Sequence, residues 1–133
     1  MIMPYSQCQM PNVGENVIVK KSRAFSVRIV NLYRFMCHSR HEYVLSKQLL
    51  RCGTSIGANV VESQQAQSRA DFISKLNIAL KEAVETNYWI RLLYASEYIT
   101  EAEFSSVIAD CRVLEKMLTS IIKTSRNTPK KSL

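Results

Sequence analysis

The stretch Arg51–Ile90, RCGTSIGANVVESQQAQSRADFISKLNIALKEAVETNYWI, decides how the rest of this chain is read. Its first part lies on a helix whose main apolar set is Leu45, Leu49, Cys52, Ile56 and Val60. That helix carries small and polar residues, Ser55, Gly57, Asn59 and Glu62, among the apolar ones. Gly53 and Gly57 each cost a helix up to about 1 kcal/mol relative to Ala. Their expected use is to let a neighbouring helix approach closely. After a short turn, Ser68 opens the next helix, with Asp71 as an imperfect capping box. Phe72, Leu76, Ala79, Ala83, Thr86, Ile90 and Leu93 then keep 4-3 spacing, as the seam of an antiparallel bundle does.

Working outward, one helix is expected on each side. Towards the N-terminus, Ile18, Phe25, Ile29, Leu32 and Met36 fall within a narrow arc at 100° per residue, so Val17–Cys37 reads as an amphipathic helix. His38–Glu42 is the turn into the second helix, Tyr43–Gln65. The third helix is expected to end near Tyr98. Thr100 and Glu103 then supply a capping box for a fourth, with Phe104, Ile108, Cys111, Leu118 and Ile122 on its inner face. Four helices joined by short turns predict an all-α, antiparallel up-down-up-down bundle over 15–125. Residues 1–14 lack periodicity and read as a flexible arm, and 126–133 as a basic, disordered tail.

Composition agrees with one domain. The 133 residues include three Gly and three Pro, and nothing between Pro11 and Pro129 interrupts a helix. No apolar run approaches the ~20 residues that span a bilayer, and the N-terminus lacks the layout of a signal peptide. Cys8, Cys37, Cys52 and Cys111 have no CxxC spacing. They read as reduced thiols of a cytoplasmic protein, with Cys52 and Cys111 in the core.

Charge is unevenly distributed. Residues 1–52 carry +6, residues 53–115 carry −4, and residues 116–133 hold five Lys/Arg and no acid, within a total of +7. Basic ends around a mildly acidic centre suit an anionic partner. The candidate contacts are Lys20, Lys21, Arg23, Arg28 and Arg34 on the first helix. Arg112, Lys116 and Lys123 follow on the fourth, with Arg126, Lys130 and Lys131 in the tail.

Enzyme chemistry finds little support. Glu62 and Glu85 are the candidates for carboxylates inside the bundle, and level-counting through the turn at Ala66 separates them by about 22 Å. Paired glycosidase carboxylates stand roughly 5–10 Å apart, and the ions of a two-metal site about 4 Å. A di-iron bundle uses Glu-x-x-His motifs, which are absent. Cys37, His38 and His41 offer three ligands in a turn with no fourth, so no metal, cofactor or catalytic residue is expected. Ser55, Asn59, Glu62 and Glu85 are instead expected to fix helix register or subunit contacts. Glu85 would pair with Lys47, Arg34 or Lys116, and Glu62 with Lys20, Lys21 or Arg69. A ligand-binding polar pocket is the alternative.

The same residues carry a resemblance. The Arg51–Ile90 stretch, with ENVIVKKSRAFSVRIVNLYRF from Glu15 onward, resembles the four-helix-bundle proteins encoded in bacterial 23S rRNA intervening sequences. That family is distantly akin to the accessory protein of diversity-generating retroelements. The resemblance runs to about Ile122 and implies a ring-shaped homo-oligomer of five subunits. The third helix is apolar nearly all round, and Tyr88, Trp89 and Leu92 are the candidate interface residues, with core packing as the alternative. Two functions follow. One is binding of nucleic acid, structured RNA above all, through the basic surfaces. The other is a scaffold for a protein partner such as a reverse transcriptase, without direct contact to RNA or DNA.

Overall fold

The computed structural model describes residues 16–127, and four helices account for nearly all of them: α1 Val17–Ser39, α2 Leu45–Ser63, α3 Arg69–Ala95 and α4 Glu101–Asn127. The expected arm 1–14, Lys130 and Lys131 lie outside the described residues, whereas Arg126 belongs to the last turn of α4.

Each helix begins where a side chain satisfies its free N–H groups. Asn16 accepts from the Val19 N–H at 3.1 Å. Ser68 accepts from Asp71 at 3.0 Å, but the Asp71 carboxylate reaches back to Gln67 N–H (3.2 Å), so the return half of the box lands one residue early. Thr100 and Glu103 close a full box, with Thr100 accepting at 3.2 Å and Glu103 at 2.7 Å. The start of α2 is made differently. Val44, the residue before it, gives no side-chain bond, and the Glu42 carboxylate accepts from the N–H of Val44, Leu45 and Ser46 at 2.8–3.0 Å.

Two helix ends turn through left-handed residues that are not glycine, His41 (φ 54°) and Glu97 (φ 65°). In each, the following N–H bonds a carbonyl one turn back, Glu42 to Met36 at 3.1 Å and Tyr98 to Leu93 at 2.9 Å. Glu97 therefore stops α3 at Ala95, before the expected Tyr98. Similarly, the wrap of Glu42 delays α2 to Leu45.

Contacts between neighbouring helices run in opposite sequence directions. Asn16 bonds Gln64 while Ile29 faces Gly53. Cys111 meets the Ala83 carbonyl, while Phe104 stacks on Tyr94 at 4.4 Å. Consecutive helices pack side by side, α1 meets α4, and the backbones of the diagonal pairs stay further apart, as in an up-down-up-down bundle. The expected seam of α3 is fully buried from Leu76 to Leu93, with Phe72 half-buried at its mouth. Leu114 and Val107 of α4 join the core beyond the expected set. A Cβ on Gly53 would stand 2.9 Å from Ile29 Cγ1, and one on Gly57 3.0 Å from Ser26 Oγ. The two glycines therefore seat α1 against α2.

Candidate nucleic-acid interface

The inner face of α4 is Cys111, Leu114, Leu118 and Ile122. At about 100° per residue this leaves Arg112, Lys116 and Lys123 exposed along the side that meets α3. Two contacts fix that side. Glu115 accepts a hydrogen bond from the Asn87 amide of α3 at 2.9 Å. Lys123 and Arg126 share a notch of about 310 Å³ with Asn77 and Leu80 of α3. Counting both ways from the Cys111–Ala83 contact, Arg112 stands level with Glu82 and Lys116 with Ile78, and exposed Lys81 lies between those two levels. Arg91 extends the row, held by Asn87 Oδ1 at 2.6 Å and lying over the Phe104 ring.

The acids of α3 point away from this edge. Glu82 and Glu85 turn to the opposite side of α3, where both meet Arg51. Glu85 also accepts from the Trp89 indole N–H at 3.0 Å. Glu115 is held between the helices by its Asn87 bond, and Glu101, exposed in the first turn of α4, lies beyond the Arg112 end of the row. Lys81 and Arg91 were missed from the sequence because segment charge averages over helix faces, and Asn77 because a neutral amide gives no charge signal. The −4 of residues 53–115 combines acids and bases that project from opposite sides of one helix.

The candidates on α1 stand elsewhere. Lys20 and Arg34 are exposed on its outer face, and Arg23 is half-buried and already engaged within the protein. Arg28 is pinned at the α1–α4 seam, donating to Asp110 (2.6 Å), Ser106 Oγ (2.6 Å) and the Ser106 carbonyl (3.3 Å). Beside it, Lys21 borders a cleft of about 160 Å³ with Asp110 and Val113. The basic residues thus form an α4 row and a separate α1 group.

The polar residues of α2 are satisfied locally. Ser55 donates to the Arg51 carbonyl at 2.7 Å and Asn59 to the Ser55 carbonyl at 2.8 Å, both back into their own helix. Glu62 is exposed in the last turn of α2. Glu85 meets Arg51 and Trp89, not the Lys47, Arg34 or Lys116 that level-counting suggested. Arg side chains span more than one turn, and Cβ atoms lean towards the helix N-terminus, so level-counting misassigns long partners. Tyr88 stands 58% exposed with its ring edge-on to half-buried Trp89 at 5.1 Å, and Leu92 is half-buried.

Glu62 is therefore exposed and Glu85 bound to Arg51 and Trp89, and the two are not aimed at a shared centre. Among the described residues no group of His, Cys, Asp and Glu is placed to hold a metal ion, and no helix is long and apolar enough to cross a membrane. Cys52 and Cys111 are fully buried, and loss of hydration pushes the Cys52 thiol up to about 11 and Cys111 further still. Neither is a nucleophile at neutral pH.

Fold and surface together define a small four-helix bundle with basic outer residues. The chain belongs to the 23S rRNA-intervening sequence protein family, whose profile matches residues 14–120. It is similar to a protein of unknown function from the S23 ribosomal protein family of Bacteroides thetaiotaomicron VPI-5482, with 59% identity and a TM-score of 0.80. That alignment covers 81% of this chain and 100% of the other. No curated protein matches the chain.

Proposed function

We propose that this protein is a non-enzymatic bundle that binds nucleic acid, structured RNA in the first place, through its α3–α4 edge. One observation carries the reading: Arg112, Lys116, Lys123 and Arg126 stand exposed in a row on α4, while Arg51 holds the nearby acids of α3 on the far side. The row is about 21 Å long at 1.5 Å per residue, enough to follow several phosphates. Such contacts give affinity without base readout. The family's description, which ties it to 23S rRNA intervening sequences, supports RNA over DNA.

Self-association belongs to the same reading. Val84 and Tyr88 are 54% and 58% exposed on the outward face of α3, beside Ile78 and Leu92. A cytoplasmic homo-oligomer built on this apolar crest, with five copies as the resemblance implies, would repeat the basic row around a ring. The crest also favours a second reading, in which it receives a protein partner such as the reverse transcriptase of a retroelement.

Substitution by face separates these readings. Changing Arg112, Lys116, Lys123 and Arg126 to Gln is expected to weaken binding to a structured RNA about a hundredfold at 50 mM salt. Changing Lys20 and Arg34 to Gln should cost less than about threefold. Equal losses from the two sets would remove the edge from the account.

A further inference from the structure

The notch between the N-terminal half of α3 and the last turns of α4 differs from a plain charged surface. Its walls are Asn77 and Leu80 from α3, with Thr119, Ile122, Lys123, Arg126 and Asn127 from α4, and its volume is about 310 Å³. Each wall has a distinct chemistry. Lys123 and Arg126, one helical turn apart, supply cations and a planar donor fork. The half-buried Asn77 amide both donates and accepts. The Thr119 hydroxyl donates to the Glu115 carbonyl at 2.7 Å, which leaves its oxygen free to accept. Leu80 and buried Ile122 form an apolar floor.

The negative end of the α4 dipole draws cations to this turn in any case. That attraction calls for no amide, hydroxyl acceptor or apolar floor, and the notch offers all three together with the charge. Its size falls at the lower end of the ~300–1,000 Å³ typical of small-molecule sites.

We propose that the notch seats one nucleotide unit of the bound strand. Lys123 and Arg126 take its phosphate, Asn77 and Thr119 meet sugar hydroxyls or a base edge, and Leu80 and Ile122 lie under the apolar parts. The proposal rests on the nucleic-acid reading and adds a defined subsite to it. The row at Arg112 and Lys116 contacts phosphates alone, while the notch also recognises what is attached to the phosphate.

Calorimetric titration of the full chain with a nucleoside 5′-monophosphate and with inorganic phosphate tests this. The nucleotide should bind saturably and at least about tenfold tighter than phosphate. Asn77→Leu, which keeps a good helix former in place, should lower nucleotide affinity by about tenfold, the usual effect of one lost hydrogen bond of ~1.4 kcal/mol. An unchanged circular dichroism melt would show that this variant folds, and Arg126→Gln gives an independent check through the phosphate. A nucleotide that binds no tighter than phosphate, or equally well to Asn77→Leu, overturns the proposal. RNA binding measured in parallel separates the two claims. If RNA binds with steep salt dependence while the nucleotide titration is flat, the notch fails and the broader reading stands. If RNA fails to bind while the nucleotide still seats, the strand-seating proposal falls together with the broader reading, and the notch is a site for a free nucleotide instead.

Discussion

Glu42 wraps one carboxylate around the first turn of α2, accepting from three backbone N–H groups and, at 2.5 Å, from the Ser46 hydroxyl. Burial alone would raise its pKa, but the Ser46 hydroxyl and the N–H groups of Leu45, Ser46 and Val44 outweigh that and hold it below the ordinary glutamate value. A carboxyl that binds its proton more weakly when folded stabilises the fold fully above about pH 4.3, and the contribution fades as pH falls through the lower folded value. Glu42→Gln should cost about 1–2 kcal/mol at pH 7, seen as a lower Tm, and should flatten the acid limb of Tm against pH. An unchanged limb would place the acid sensitivity elsewhere. The cysteines give a second check at this scale. In a thiol-reagent assay of the native protein, half-buried Cys37 should react while Cys52 and Cys111 stay silent until unfolding.

At the scale of elements, the two glycines of α2 set the distance to α1. Ile29 is fully buried and has nowhere to move from a Cβ placed 2.9 Å away. Gly53→Ala should therefore destabilise by about 1–3 kcal/mol in chemical denaturation despite its gain in helix propensity. A stabilised variant would show that α1 can shift outward at little cost. The close approach was legible in the sequence, since Gly53 and Gly57 lie one turn apart on a helix with no other need for them. The 4-3 seam and the Thr100–Glu103 box were legible for the same reason, because each follows a local periodic rule. The turns were harder to read. His41 and Glu97 occupy left-handed positions where glycine is the usual signal, so nothing in their side chains marks where α1 and α3 stop. Likewise, Glu42 reads as an ordinary turn residue until the backbone bends round it.

For the whole molecule, the sequence revealed how much positive charge there is but not how it is arranged. Arg28 looked available and is bound to Asp110 and Ser106, while Lys81 and Arg91 were hidden in a segment of negative net charge. Only the packing of α3 against α4 brings the row at Arg112, Lys116, Lys123 and Arg126 beside them. The apolar crest of α3 belongs to this scale too. Tyr88→Asp should reduce the sedimentation coefficient towards that of a single chain if copies associate there, and should leave it unchanged if they do not. The measurement that bears most directly on the account is the affinity for a structured RNA followed from about 50 to 200 mM salt. Phosphate contacts from the four α4 cations predict a fall of about a hundredfold and a log–log slope near −3 to −4, shallower by about 3 when all four are changed to Gln. Binding that ignores salt, or no binding at the lowest salt, would contradict a phosphate-reading edge.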